Sequence, residues 1–195
     1  MIVRLLLALA VTVALAGGIE REARAANSIE VTSIKMEAAA DGVGWQLSAD
    51  FYLPITNRIK DVLDIGVPLY FIVEFELTGS RWWWADRKIA AQTQNYRLSY
   101  HPITRRYRLT RSGYSQEFVA VDDALASLSR IRGWTLMEQT TLEQGETYDA
   151  ALRMRLDSSR LPGPLQIDVI NNQDWNLDAP WKRFKVTPGT PIKVP

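Results

Sequence analysis

Two nearby stretches, Arg81–Trp84 (RWWW) and Tyr96–Arg111 (YRLSYHPITRRYRLTR), decide the fold predicted for this chain. The longer stretch alternates aromatic or apolar residues with polar or basic ones on both sides of the loop 101–105. Successive side chains of a strand point to opposite faces of a sheet, so this pattern predicts a β-hairpin. One face would carry Tyr96, Leu98, Tyr100, Tyr107 and Leu109, and the other Arg97, Ser99, Arg106, Arg108 and Thr110.

The tryptophan run adds a candidate contact surface. In an extended strand Trp82 and Trp84 share one face and Trp83 takes the other. A two-layer β protein buries one face of each sheet, so at least one of the three is expected at the surface. Exposed aromatic residues beside arginine are typical of protein interfaces, although they also suit cation–π stacking within a protein. The predicted binding residues are Arg81, Trp82, Trp83, Trp84, Arg97, His101, Arg106 and Arg108.

Strand patterns dominate the rest of the chain. Period-two alternation is clear over residues 45–52, 69–77 and 148–156, and a strand over 29–36 is expected to pair with 45–52 as a second hairpin. Two short helices are predicted. Thr56 caps the first, which stops at Gly66. Asp122 or Asp123 caps the second, whose apolar stripe runs to Ile131 and which stops at Gly133. For residues 165–170 the pattern leaves strand and helical turn equally open.

These elements predict a mainly β protein. The favoured architecture is an antiparallel β-sandwich, immunoglobulin-like in general architecture, with two short helices. The alternative is an α+β fold in which one curved antiparallel sheet packs on the helices. Residues 26–186 are expected to form a single domain, and the Pro-rich tail 187–195 is expected to be flexible.

The N-terminus is typical of a secretory signal peptide. Arg4 precedes the apolar run Leu5–Ala16, and Ala23-Arg24-Ala25 resembles a signal peptidase site, which predicts cleavage after Ala25. The run is shorter than the about 20 residues that span a membrane comfortably. We therefore expect an exported, periplasmic protein without a stable membrane span in its mature chain. The alternative is anchoring to the inner membrane by an uncleaved signal.

Composition excludes several classes of site. Removing residues 1–25 takes three arginines and two glutamates from the 23 basic and 22 acidic residues and leaves 20 of each. A neutral domain lacks the basic excess that nucleic-acid binding requires, so no nucleic-acid partner is expected. The chain has no cysteine, which excludes disulfides and thiolate metal sites.

Few residues are suited to catalysis. His101 is the one histidine, and Pro102 after it indicates a turn residue. With a single histidine no metal site is expected, and no cofactor is predicted. Glu74 and Glu76 share a strand face with Cα atoms about 6.6 Å apart, a spacing that permits acid and base roles in glycoside hydrolysis. They are the catalytic candidates, but ion pairs with Arg97, Arg106 or Arg108 on neighbouring strands are the preferred interpretation.

Several strings resemble a known family. They are Gly66-x-Pro68-Leu69-Tyr70-Phe71, Glu74-Phe75-Glu76-Leu77, Arg81–Trp84, Leu98-Ser99-Tyr100-His101-Pro102-x-Thr104-x-x-Tyr107-Arg108, Leu161-Pro162-x-Pro164-Leu165-Gln166 and Asp174-Trp175-x-Leu177. Together they resemble the exported proteobacterial proteins of the domain of unknown function 4390 family, from about Ile29 to about Phe184. The resemblance transfers no catalytic residue. It implies an envelope protein of a Gram-negative bacterium, with a membrane sensor kinase of the nitrogen-regulation type as a suggested partner.

Three hypotheses for the function follow. The first is a non-catalytic interaction domain of the cell envelope, accessory to a membrane sensor kinase, which contacts a protein or another envelope component through the predicted binding residues. The second is a carbohydrate- or peptidoglycan-binding or -cleaving domain with Glu74 and Glu76 as acid and base. The third is purely structural, with every tryptophan in the core.

Overall fold

The structure, a computed structural model, describes residues 28–39, 44–79, 87–137, 142–172, 175, 177–190 and 192. This part of the chain forms nine strands, three α-helices and one 3-10 turn. In chain order they are β1 (Glu30–Ala38), β2 (Trp45–Tyr52), α1 (Asn57–Asp64), β3 (Leu69–Gly79), β4 (Arg87–His101), β5 (Arg106–Arg111), β6 (Tyr114–Phe118), α2 (Val121–Leu128), β7 (Arg130–Met137), β8 (Tyr148–Leu156), the 3-10 turn (Ser158–Arg160), α3 (Gly163–Asn171) and β9 (Lys182–Val186).

The strands build two antiparallel sheets. One has three strands in the order β1-β2-β7, and the other has six in the order β6-β5-β4-β3-β8-β9. Buried residues of both sheets join one hydrophobic core. This confirms the predicted mainly β, antiparallel sandwich. The helix count was too low, because the undecided segment 165–170 lies within α3.

Strand β3 lies at the centre of the larger sheet, and its sequence explains why. Its inward residues Leu69, Phe71, Val73, Phe75 and Leu77 are at most 1% exposed. The residues between them are only half-buried. Such strict alternation is expected of a strand with one face in a core and one towards solvent. The pattern therefore defines an inner face and an outer face for the whole six-stranded sheet.

Helix α1 forms as predicted. The Thr56 hydroxyl accepts a hydrogen bond from the Ile59 amide at 3.4 Å, and Ile59, Val62 and Leu63 are buried. The chain then turns at Gly66, whose φ of 93° lies in the left-handed region that favours glycine. The helix is stabilised by its apolar face on the core, by the Thr56 cap at its start and by the turn at Gly66 after its end.

The prediction for the second helix was wrong at both ends. The residue before α2 is Ala120, and no side chain caps the helix, so Asp122 and Asp123 lie in its first turn instead. The helix stops at Leu128, and the segment predicted to continue it, through Gly133, is strand β7. In the irregular pairing of β7 with β2, Ile131 lies opposite Ala49 and Trp134 opposite Leu47.

The reason for the error is the position of Ile131. It lies three residues after the buried Leu128, a spacing that two residues on one face of a helix also have, so the first buried residue of β7 was assigned to the helical stripe. Further along β7 the pairing contains a bulge, in which Ser48 of β2 lies opposite both Arg132 and Gly133, and Gly133 adopts a φ of 58°.

At the two ends of the chain, predictions fall wholly or partly outside the described residues. These are the signal peptide, residues 1–25, and part of the tail 187–195. Within the ranges that are described, no helix is both long enough and apolar enough to cross a membrane.

Candidate binding surface

Strands β4 and β5 place the predicted basic residues on the outer face of the six-stranded sheet. Tyr96, Leu98 and Leu109 are buried on the inner face. On the outer face Arg97 lies opposite Thr110, Ser99 opposite Arg108, and His101 opposite Arg106. We call the outer-face residues Arg97, His101, Arg106 and Arg108 the basic face. All four are exposed, as the alternation of the hairpin predicted.

The hairpin turn holds His101 in a structural contact. The amide of Thr104 donates a hydrogen bond to His101 Nδ1 at 3.3 Å. Arg105 completes the turn with a φ of 50°, an uncommon conformation for a residue with a side chain. His101 therefore closes the turn, which agrees with its interpretation as a turn residue.

Tyr107 ties the hairpin to the body of the protein. Its hydroxyl donates a hydrogen bond to Asp64 Oδ1, at the end of α1, at 2.6 Å. Its ring also packs against Tyr100, with ring centroids 4.8 Å apart. Burial, followed by the hydrogen bond to the Asp64 carboxylate, raises the pKa of Tyr107 to about 12. The strand pair that carries the basic face is therefore anchored to α1 through its inner face.

The charges on the basic face are only partly compensated. The Arg108 guanidinium binds Glu117 Oε1 through Nη2 at 2.6 Å and through Nε at 3.2 Å. The hydrogen bond from Arg108, and then the nearby charges of Arg106 and His101, hold the pKa of Glu117 below its ordinary value. Arg97 and Arg106 form no ion pair with any described residue. Two exposed guanidinium groups therefore remain able to bind an acidic partner.

The catalytic candidates Glu74 and Glu76 form ion pairs on the same outer face. Glu74 Oε2 accepts hydrogen bonds from Arg153 Nε at 2.6 Å and from Arg155 Nε at 3.1 Å. Glu76 pairs with Lys88 at 2.9 Å. An ion pair was the preferred interpretation, but none of the three arginines expected as partners is involved.

The strand order explains the different partners. Strand β3 lies between β4 and β8, and Glu74 is directly opposite Arg153 of β8. Arg97 lies opposite Tyr70 instead, and β5 with its arginines is two strands away. Burial disfavours ionisation of Glu74, but the hydrogen bonds and charges of its two arginines outweigh it and lower the pKa. A carboxyl group held ionised in this way is poorly suited to act as a general acid.

Cation–π contacts extend this cluster, and sequence reasoning missed them. The Arg153 guanidinium lies 4.4 Å from the centroid of a Trp181 ring, and Arg160 lies 3.9 Å from that of Tyr70. Alternation within β8 marks Arg153 and Arg155 as outward residues. Nothing in the local pattern shows that Trp181 is beside them. These contacts use aromatic and basic groups to stabilise the sheet itself.

The other half of the predicted surface, Arg81, Trp82, Trp83 and Trp84, lies outside the described residues. Gly79 and Arg87, which flank the segment 80–86, pair with each other. They lie at the end of β4 away from His101. Because β4 has 15 residues, its two ends are separated by about 45 Å of extended strand. The tryptophan segment and the hairpin turn therefore connect to opposite ends of β4.

The described residues contain no group of three or more histidine, cysteine, aspartate or glutamate side chains that could hold a metal ion. Their acidic side chains serve instead in contacts between elements. Asp168 of α3 is an example, because it accepts hydrogen bonds from Arg58 of α1 and from the indole of the buried Trp175.

Comparison with known proteins identifies a family. The family model described as "Domain of unknown function (DUF4390)" matches residues 26–185. No curated protein and no solved structure matches the chain. The match covers most of the chain and agrees with the resemblance seen in its sequence strings, so this protein belongs to the domain of unknown function 4390 family.

Proposed function

We propose that this protein is a non-catalytic interaction domain of the Gram-negative cell envelope. Residues 1–25 would direct its export to the periplasm, as the charged, apolar and small-residue regions of that segment suggest. The basic face would then contact an acidic surface on a membrane protein. A membrane sensor kinase is the partner that the family resemblance suggests.

The observation that carries this proposal is the exposure of the Arg97 and Arg106 side chains, together with their lack of ion pairs to described residues. Both side chains are exposed on a hairpin that is anchored from behind by Tyr107, and neither is used in an ion pair within the described residues. Arginine is enriched at interfaces because its planar fork binds carboxylates with two parallel hydrogen bonds. The anchored hairpin fixes the backbone positions of both arginines, so only their side chains lose conformational freedom on binding.

The test is in-cell crosslinking with a matched control. A photo-crosslinking residue replaces Arg105, in the turn beside Arg106, in one tagged variant and Arg183 in another. Arg183 is also an exposed arginine on the outer face of this sheet, but it lies on β9 at the opposite edge. We expect position 105 to capture one membrane protein reproducibly and position 183 not to capture it.

Charge reversal then tests the chemistry. With the crosslinker at position 105, Arg97→Glu should reduce capture by about tenfold, which corresponds to about 1.4 kcal/mol. Osmotic shock of the same cells should release the tagged protein if it is periplasmic. Equal capture from both positions, or full capture by the Arg97→Glu variant, would show that the basic face is not the contact surface. Trp83→Ala in the same assay tests the tryptophan segment separately.

A further inference from the structure

A cleft of about 500 Å³ opens on the side of the hairpin opposite to the basic face. It lies between strands β5 and β6 of the larger sheet and the junction of α2 with β7. Its volume falls within the range of sites for small molecules, about 300–1,000 Å³. The proposed interaction of the basic face does not involve this cleft, so the two sites are independent.

Three arginines line the cleft, namely Arg111 of β5 and Arg130 and Arg132 of β7. Arg132 is held in place, because it pairs with Asp50 and donates to the carbonyl oxygens of Ala49 and Ile131 at 3.1 and 2.8 Å. It is the arginine least able to reorient towards a ligand.

Asp50 compensates only part of this positive charge. Its carboxylate accepts a hydrogen bond from the Ser33 hydroxyl at 2.6 Å in addition to the bond from Arg132. The Ser33 bond, with Arg132 and the nearby charge of Arg130, lowers the pKa of Asp50, so this group is ionised at neutral pH. One carboxylate among three guanidinium groups leaves two positive charges, and neither Arg111 nor Arg130 forms an ion pair with a described residue.

The remaining wall suits a molecule with an uncharged body. Tyr96 and Leu109 are almost fully buried at the base, whereas Tyr114 is 82% exposed at the rim. The Tyr96 hydroxyl donates a hydrogen bond to Gln94 at 2.7 Å, which fixes the position of its ring. The base of the cleft is therefore rigid and partly aromatic, while its rim offers an exposed ring for stacking.

We propose that this cleft binds a small anionic molecule, whose oxyanion group is held by Arg111 and Arg130 and whose uncharged body packs against Tyr96 and Tyr114. Guanidinium groups bind both phosphate and carboxylate oxygens through paired hydrogen bonds, so the two arginines recognise either kind of anion in the same way. Phosphate esters and dicarboxylates are the two classes of ligand that carry such an oxyanion group.

Calorimetric titration of the purified protein separates the two sources. The probes are glucose 6-phosphate, succinate and inorganic phosphate, with glucose as the uncharged control. We expect one of the anionic probes to bind with an affinity that falls as salt is added, and glucose not to bind. Preference for glucose 6-phosphate over succinate identifies a phosphate ester, and the reverse preference identifies a dicarboxylate.

Three substitutions test the residues. Arg111→Gln and Arg130→Gln should each weaken the bound probe by about tenfold or more, and Arg111→Lys should weaken it less because the charge remains but the fork is lost. Arg183→Gln, an exposed arginine on β9 outside both proposed sites, is the charge-matched control and should leave affinity unchanged. Circular dichroism of each variant confirms that it is folded.

Two results would overturn the proposal. The first is that none of the three anionic probes binds the folded protein. The second is that Arg183→Gln weakens binding as much as Arg111→Gln does, because the probe would then respond to overall charge and not to the cleft. Neither result bears on capture of a membrane protein by the basic face, so the two proposals can fail separately.

Discussion

Glu74 has a different role in the structure from the catalytic role that its sequence pattern permits. As a member of a Glu-x-Glu pair it is a candidate acid or base, but in the sheet it binds two arginines, one of which stacks on Trp181. Its side chain is only 21% exposed, so solvent screens these ion pairs less than those at the surface. Glu76 is the useful comparison, because both it and Lys88 are largely exposed.

The Glu74 ion pairs predict a dependence of stability on pH. The folded pKa of Glu74 is lowered from its ordinary value of 4.5, so its stabilising effect is present above about pH 4.5 and is lost as pH falls through the folded pKa. At neutral pH we expect Glu74→Gln to reduce the free energy of unfolding by about 1–2 kcal/mol, since the Arg153 and Arg155 charges lose their partner.

Urea unfolding at a series of pH values measures this effect. The difference between wild type and Glu74→Gln should shrink towards zero in acid, where Glu74 is itself protonated. Glu76→Gln is the control and should differ little from wild type at any pH. A Glu74→Gln difference that does not change with pH would contradict the ion-pair interpretation.

At the scale of elements, glycines mark the places where local sequence controls the path of the chain. Gly66 follows α1 with a φ of 93°, and Gly163 begins α3 with a φ outside the left-handed region. A Cβ at either position would meet no atom within 4 Å. The two sites therefore differ in backbone conformation and not in the space available to a side chain.

This contrast gives opposite predictions for the same substitution. Gly66→Ala should lower the free energy of unfolding by about 1 kcal/mol, because alanine is strained in the left-handed region. Gly163→Ala should raise it by about 0.5 kcal/mol, because alanine loses less freedom than glycine in a helix. Urea midpoints of the two variants measure both effects, and a loss of stability in both would show that space is limiting after all.

At the scale of the whole molecule, the two sheets depend on each other. Buried residues from the three-stranded sheet, such as Leu47, and from the six-stranded sheet, such as Phe75, belong to the same core. The chain has no cysteine, so this shared burial cannot be supplemented by disulfides. Among the residues that the structure describes, neither sheet has a separate apolar core on which to remain folded alone.

Removing core volume from either sheet should therefore unfold both together. Leu47→Ala should reduce the free energy of unfolding by about 2–5 kcal/mol and Phe75→Ala by about 3–5 kcal/mol. In each variant, unfolding followed by far-ultraviolet circular dichroism and by tryptophan fluorescence should give one coincident transition. Two separated transitions would show that the sheets fold independently.

Local pattern predicted much of this architecture. The alternation of residues 69–77 and of the 96–111 hairpin established which side chains face the core, because that period depends only on neighbours along one strand. Thr56 and Gly66 bounded α1 for equally local reasons. At Ile131, which lies three residues after Leu128 and so also fits a helical spacing, the same local reasoning failed and extended a helix into a strand.

By itself, the sequence determined the fold class, the two faces of the hairpin and membership of the family. Only the tertiary structure decided that β3 lies between β4 and β8, which gives Glu74 the arginines of β8 and leaves Arg97 and Arg106 without an ion pair among the described residues. It alone brought Arg111 beside Arg130 and Arg132 across the cleft. The physical reason is that alternation arises within each strand, whereas the order of strands depends on how all the apolar faces are buried together.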